Sequence, residues 1–301
     1  MKKIIITALL AAVPVFGAAA EIAPGAFIDI GLSRPSGMGG AFAAVSDDSN
    51  AVFHNPAGIA LAKKADISFM YLKYKWMIPY NYLVGIMPVG DRGFGAGISI
   101  SGDEIFSEQK IILSYAEKLD RFVPFAKNLA VGVNMKILSA GFGTDYEAGG
   151  EDRITGSAFG LGFDLGAIWK FDENFTAAAL LKDGFSYVRW STQHEDYDEG
   201  VPLTSYLGLA YSTDEFILSA ELADLDLIKI GLEMRFFTYI DLRAGLTQTL
   251  DSESYREYTV GLGVRRINFG EDDKFSVSFD VAQVFERLDS TLKVQAGFQF
   301  R

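Results

Sequence analysis

The sequence predicts an all-β fold: a transmembrane antiparallel β-barrel of about 14 strands, with an N-terminal hatch, or plug, ahead of the first strand and a cleaved signal peptide ahead of that. Three observations predict it. From Ala65 onward the apolar residues recur at every second position, the period of a strand. Most of the alternating segments run about ten residues, the length a tilted strand needs to cross a bilayer. Their connections alternate between tight and long, as in barrels with short turns on one side of a membrane and loops on the other. The predicted organisation is therefore 1–20 signal peptide, 21–64 plug and 65–301 barrel.

The alternation is clearest at the end of the chain. Leu292, Val294, Ala296, Phe298 and Phe300 share one face, and Lys293, Gln295, Gly297, Gln299 and Arg301 share the other. Ile228, Ile230, Leu232, Met234 and Phe236 oppose Lys229, Gly231, Glu233 and Arg235; Ile240, Leu242, Ala244 and Leu246 oppose Asp241, Arg243, Gly245 and Thr247. A helix would instead space its apolar residues three or four apart. Fourteen segments of this kind begin near Ala65, Tyr80, Arg92, Gln109, Asn128, Gly156, Asn174, Leu203, Glu215, Leu227, Tyr239, Arg256, Asp273 and Thr291. If the first runs outward, the outer connections include Gly141–Thr155, Asp183–Pro202 and Leu250–Tyr255. The inner ones are then turns at Gly90-Asp91, Asp172-Glu173, Thr213-Asp214 and Phe237-Thr238, with the longer Glu117–Lys127 as the exception.

Alternation alone does not say which face points outward, because a soluble barrel turns its apolar face inward. Three features choose the membrane arrangement. Fourteen strands enclose a lumen too wide to fill with wall side chains. Mid-strand charges at Glu233, Arg235, Asp241, Arg243, Arg265 and Asp280 suit a wet or plugged bore. Aromatics collect near segment ends, at Trp76, Tyr80 and Tyr82, at Trp169, Phe171 and Phe175, at Phe236, Phe237 and Tyr239, and at Tyr255 and Tyr258, as in interfacial girdles.

Composition excludes much else. The 27 Lys and Arg against 39 Asp and Glu give a formal net charge of −12, which argues against a nucleic-acid partner. Cysteine is absent and histidine occurs only at His54 and His194, so thiol chemistry, thiolate metals and a multi-histidine centre are not expected. No Gly-x-Ser-x-Gly, phosphate loop or His-Glu-x-x-His occurs. Catalytic residues, metal and cofactor are therefore predicted as none. His194-Glu195-Asp196 reads as a solvated acidic loop, and His54 as a hydrogen-bonded plug residue.

The first residues carry an export signal. Met1-Lys2-Lys3 is cationic, Ile4–Ala20 is uncharged, and Ala18-Ala19-Ala20 supplies small residues before Glu21. Between Glu21 and Lys64 alternation stops. The segment is rich in Gly and Ala, and it reads as a short helix at Ala41–Val45, a cap at Ser46-Asp47-Asp48-Ser49 for a second helix, and a turn forced by Asn55-Pro56. A compact segment of this kind could stopper a wide bore.

Four consecutive features of this segment carry a family resemblance: Gly37-Met38-Gly39-Gly40, the Ala-rich Ala41–Val45, the acidic pair Asp47-Asp48, and Asn55-Pro56-Ala57. In this order, ahead of fourteen strands, they resemble the hatch of the FadL-type outer-membrane transporters, and the wording is closest to the shorter PorV/PorQ-like relatives. Two departures stand out: the chain is shorter than typical fatty-acid transporters of that family, and Arg301 follows Phe300 at its end. The resemblance implies export to the outer membrane of a diderm bacterium, contact with outer-membrane lipid, and passive transport of hydrophobic small molecules such as long-chain fatty acids. It places hatch and gating roles at Gly39, Gly40, Asp47, Asp48, Asn55, Pro56 and Ala57, with the Asn-Pro-Ala turn shifting as ligand passes. It also implies a sideways opening at the third strand, for which Gly93, Gly95 and Gly97 are the candidates. From the residues alone, the favoured reading is that these glycines make room for a plug. The alternative function is that of the PorV/PorQ-like proteins, a component of protein secretion or envelope assembly with secretion-system proteins as partners and no small-molecule transport.

Overall fold

The computed structural model describes residues 27, 29–120, 122–123, 127–142, 155–237, 239–250, 255–269, 274–287 and 289–300. The expected signal peptide, 1–20, lies outside them. Sixteen strands form one antiparallel sheet: β1 (Ala65–Tyr74), β2 (Ile78–Val89), β3 (Arg92–Gly102), β4 (Phe106–Lys118), β5 (Leu129–Phe142), β6 (Gly156–Lys170), β7 (Phe175–Lys182), β8 (Tyr187–Thr192), β9 (Asp196–Gly200), β10 (Thr204–Ser212), β11 (Phe216–Ala223), β12 (Leu227–Phe236), β13 (Ile240–Thr249), β14 (Arg256–Phe269), β15 (Phe275–Phe285) and β16 (Ser290–Phe300). Fourteen of them, all but β8 and β9, form a closed wall. The first strand closes on the last, from Ala65 opposite Phe300 to Leu72 opposite Lys293. Closure leaves the fourteen-stranded wall without a free edge, the condition for a sheet to span a membrane; among the described residues β9 pairs on one side, with β8.

The faces are those of a membrane barrel. On β16, Leu292, Val294 and Phe298 are exposed, whereas Lys293, Gln295 and Gln299 are buried. On β1, Ile67, Phe69 and Tyr71 face out and Asp66, Ser68, Met70 and Leu72 face in. Glu233, Asp241, Arg243 and Asp280 are buried inside as expected; the Arg265 side chain lies outside the description. Trp76, Phe171, Phe175, Phe237 and Tyr239 are exposed near strand ends. Tyr80 and Tyr82 are not girdle residues. The β2 register turns both inward, where they stack at 6.3 Å and join the buried core.

One expected loop is structured. Asp183–Pro202 contains the β8–β9 hairpin, because β6 outreaches its neighbour: its second half, Leu165–Lys170, pairs with β7 and its first half, Gly156–Leu161, pairs with β8. In effect two long wall strands are each broken once, at 183–186 and 201–203, and the pieces remain paired as β7–β10 and β8–β9. The turns at Gly90-Asp91, Asp172-Glu173 and Thr213-Asp214 are tight as expected. Most of Gly141–Thr155 and of Leu250–Tyr255 lies outside the described residues. The end of the barrel where β1 starts and β16 finishes is called the terminal end below, and the other the far end.

Candidate functional site

The described residues ahead of β1 lie within the wall and touch nearly its whole circumference. Phe27, at the far end, sits among Leu138, Val188, Trp190, Phe106 and Phe142. Its backbone is tied to β4, with its N–H donating to Glu108 and its carbonyl accepting from Lys110. Its φ of 68° is uncommon for a side chain of that size, so these contacts hold it in place. Asp29 then pairs with Lys182 on β7, and the chain crosses to β16, where Lys293 donates to the carbonyls of Ile30 and Gly31.

A single helical turn follows, α1 (Ser33–Gly37), packed on β13–β16. The sequence reading placed a helix later, at Ala41–Val45, which instead forms turns. Arg34 on α1 is the centre of a buried charge network. Its guanidinium contacts Asp47 at 2.5 Å, Asp48 at 2.6 Å and Glu233 at 2.8 Å. Glu233 in turn accepts from Arg243 at 2.7 Å, and Arg243 reaches Asp280 at 2.6 Å. Burial works against the Arg34 charge, but Asp47, Glu233 and Asp48 outweigh it and hold its pKa above the usual guanidinium range. The guanidinium also lies 5.2 Å from the ring centre of Phe42.

Gly37-Met38-Gly39-Gly40 lies flush against β12–β14. Gly39 and Gly40 have φ of +62° and +71°, which favours glycine. Gly39 donates from its N–H to Thr259 Oγ1 and accepts at its carbonyl from Thr247. A Cβ at Gly231 would meet the Met38 carbonyl oxygen at 2.5 Å, so wall and plug touch backbone to backbone. Next, Ala43 N–H donates to Glu221 on β11, and Asp48 accepts from Asn50 N–H ahead of α2 (Ala51–His54). Helix α2 starts just after the expected Ser46–Ser49 cap, but its N-cap is Asn50, which makes no side-chain capping bond.

Asn55-Pro56-Ala57 opens a 3₁₀ turn, Pro56–Ala60, against β3–β6. Asn55 Oδ1 accepts from Ala57 N–H, and its Nδ2 donates to the carbonyls of Ala43 and Ala167. Here too the wall offers glycine. A Cβ at Gly132 would lie 2.5 Å from the Pro56 carbonyl carbon, and one at Gly166 would collide with the Asn55 side chain. On β3, Cβ atoms at Gly93, Gly95 and Gly97 would lie 2.6–2.8 Å from Ile59 and Phe53 of the plug. Strand β3 pairs without interruption to β2 and to β4. Asn134 on β5 donates to the Val52 carbonyl and to Asp164, fastening the middle of α2 to the wall.

His54 departs from expectation. It stacks edge-on against Phe42, and its buried Nε2 finds no hydrogen-bond partner among the described residues. Burial, reinforced by Lys182, pushes its pKa down to about 3, so the ring is neutral. The plug thus joins Gly39, Gly40, Asp47, Asp48, Asn55, Pro56 and Ala57 to the wall, but at opposite sides of the bore. Arg34, Glu233 and Arg243, which tie the acidic pair to β12 and β13, were not singled out together by the sequence. Inward mid-strand charges at 233 and 243 were the available signal. Among the described residues no cluster of His, Cys, Asp or Glu forms a metal site.

No protein-family model matches the sequence, and no curated protein matches it either. Solved structures do. The CymD monoaromatic hydrocarbon channel superposes with a TM-score of 0.62 at 12% identity, covering 90% of this chain and 97% of that one. The Ralstonia pickettii toluene transporter TbuX gives 0.60 at 15%, covering 90% and 98%, and a Pseudomonas aeruginosa FadL homologue gives 0.60 at 12%, covering 91% and 98%. The chain has the FadL-type channel fold. At these identities the likeness is one of fold: the closed fourteen-stranded wall and the segment ahead of the first strand.

Proposed function

We propose that the protein is an outer-membrane channel for hydrophobic small molecules, with the terminal end facing the periplasm. The observation that carries this reading is the far-end aromatic cluster. Trp190 stacks on Phe106 at 6.2 Å and lies 5.9 Å from Phe142, and the pocket they form already holds an apolar side chain, Phe27. A hydrocarbon or an acyl chain has the chemistry to take that place. The outward apolar face supports residence in lipid, and the solved structures of similar fold include a toluene transporter and a monoaromatic hydrocarbon channel. The reading extends to long-chain fatty acids through the hatch motif alone.

In this reading Asn55, Pro56 and Ala57 hold the hatch to the wall, Gly39 and Gly40 give it a flexible joint, and Asp47 and Asp48 hold Arg34. Sideways release through β3 belongs to the same proposal. Gly95→Leu or Gly97→Leu should then stop uptake while leaving a folded barrel, and normal uptake by well-folded variants would remove β3 as the exit. The main test is uptake of labelled fatty acid and of toluene into liposomes holding the purified protein, with Trp190→Ala and an Asn55→Ala, Pro56→Ala variant beside it. Uptake above empty liposomes, reduced in Trp190→Ala, is expected; uptake equal to empty liposomes contradicts the reading.

A second reading has one observation in its favour. The bore is crossed by buried charges, Arg34, Glu233, Arg243 and Asp280 among them, and charged side chains line both cavities beside the plug. That suits a closed scaffold of PorV/PorQ-like kind, serving secretion or envelope assembly through protein partners.

A further inference from the structure

Two cavities lie on opposite faces of the plug along the same stretch of wall. The far-end cavity, about 300 Å³, is lined by Ser36, Gly40, His54, Lys229, Glu257 and Lys293 among others. The terminal-end cavity, about 190 Å³, is lined by Arg34, Asp48, Glu233, Arg235, Arg243 and Asp280 among others. Their heights follow from the strand register. Lys229, Glu257 and Thr291 sit toward the far ends of β12, β14 and β16, whereas Arg235 pairs with Asp241 beside the terminal-end turn of β12 and β13. Ser36 faces one cavity and Arg34 the other, and both belong to α1. One helical turn therefore separates the two.

That turn has the build of a moving part. It is flanked by Gly31 at φ +71° and by Gly39 and Gly40 at φ +62° and +71°, positions where glycine leaves the backbone free to turn once the bonds of Gly39 to Thr247 and Thr259 are released. Side chains hold it from both faces. Below, Arg34 reaches Asp47, Asp48 and Glu233. Above, Lys293 donates to Ser36 Oγ at 2.6 Å and to the carbonyls on the Gly31 side. Ser33 adds a bond from its N–H to Gln295. On the opposite flank Asn55, Pro56 and Ala57 line neither cavity and are wedged against wall backbone at Gly132 and Gly166, as Met38 is at Gly231, but among the described residues no ion pair is added there.

We propose that α1 is a gate, latched by Arg34, and that its displacement joins the two cavities into a continuous charge-lined path along β12–β16 for small hydrated ions. Lining groups of both signs replace part of an ion's hydration, beside apolar neighbours such as Leu180, Leu227 and Val284. This path is separate from the aromatic mouth at Phe27 and Trp190, and the inference goes beyond the hydrophobic-compound reading. Ion conductance without hydrophobe uptake leaves the gate standing and removes the proposed function; uptake without conductance does the reverse.

The test is single-channel recording of the purified full-length barrel in planar bilayers under symmetrical potassium chloride. The unmutated protein should be mostly closed, with rare openings. The minor state of such a two-state element is populated at about 0.1–10%, so unlatching should raise mean conductance at least about tenfold. Arg34→Ala and Lys293→Met, acting on the two faces of α1, should each do so; Arg92→Ala, which removes an exposed charge at the start of β3, should conduct like the unmutated protein. Folding is checked by heat-modifiable migration in gels. Folded Arg34→Ala and Lys293→Met proteins as tight as the unmutated one overturn the proposal, as does equal opening by Arg92→Ala. Should neither gate variant fold, titration of the unmutated protein with urea decides. Reversible openings before the barrel unfolds support the gate, and a conductance that stays closed until the barrel is lost overturns it.

Discussion

Against β3–β6 the plug meets wall backbone, through glycines at 93, 95, 97, 132 and 166; against β12–β16 it also meets charge, through Arg34, Glu233 and Arg243. Both surfaces are buried and both are specific, but they resist different insults. A glycine contact is a matter of volume: no side chain fits, and none has to be oriented. A charge contact is a matter of partners. Taking Arg34 and Glu233 out of water is costly, and their attraction repays the cost only while every member is present. The first surface suits an anchor and the second a latch. The Asn-Pro-Ala turn and the acidic pair that holds Arg34, neighbours in the sequence pattern, thus have different mechanical settings.

Substitutions can break this comparison at either wall. The largest effect is expected for Glu233→Ala, which removes the carboxylate shared by Arg34 and Arg243. Leaving two buried guanidinium groups short of a partner should weaken plug docking by about 3–5 kcal/mol, seen as protease cleavage within 27–64 while the barrel persists. Gly132→Ala comes next. Its new methyl meets Ala57 and Pro56 backbone rather than a side chain that can swing away, and overpacking of this kind costs about 1–3 kcal/mol. If Gly132→Ala docks its plug as tightly as the unmutated protein, the β3–β6 surface is looser than described.

A third effect is set by pH. His54 is neutral when docked, with its pKa pushed down to about 3, against about 6.5 when free. Its contribution to docking is therefore fully present above about pH 6.5 and falls progressively as pH drops toward 3. Protease susceptibility of the plug should rise between pH 7 and 5, and His54→Gln should flatten that rise. The smallest effect is expected for Asp47→Asn. The Asp47 side chain is 51% exposed where that of Asp48 is 8%, and exposed pairs contribute about 0–1 kcal/mol. A loss as large as that of Glu233→Ala would show the latch to be organised around Asp47 instead.

Much of the wall was legible because alternation is a local signal. Lys293, Gln295 and Gln299 declared their face by spacing alone, and so did Glu233 and Arg243. The β8–β9 hairpin was hidden by its composition: His194, Glu195, Asp196, Asp198 and Glu199 read as a solvated loop, and the short alternation of Val188 and Trp190 against Tyr187, Arg189 and Ser191 was too brief to stand out. Tyr80 and Tyr82 show a different gap. Aromatics near a strand end look the same whether they face lipid or lumen until the register is known. In the plug, Asn55-Pro56 marked its own turn, through the restriction proline places on its neighbour. Helix α1 gave no such notice. Ser-Arg-Pro-Ser-Gly has poor helix propensity, and its turn forms because Arg34 finds partners up to about two hundred residues away, a separation the hydrogen bonds to Glu233 record as 199 positions. A lone arginine in a Gly-rich segment has no spacing that could reveal them.

The arrangement depends on apolar wall residues facing lipid while their charged neighbours face a plugged bore. The chain has no cysteine, so single cysteines can report each position without competition. Fluorophores attached at Val294→Cys and Phe69→Cys, and at their neighbours Gln295→Cys and Ser68→Cys, can be compared in vesicles of quencher-labelled lipid. Strong quenching at 294 and 69 with little at 295 and 68 is predicted. Strong quenching at 295 and 68 with little at 294 and 69 would mean that the wall is turned inside out and contradict the account.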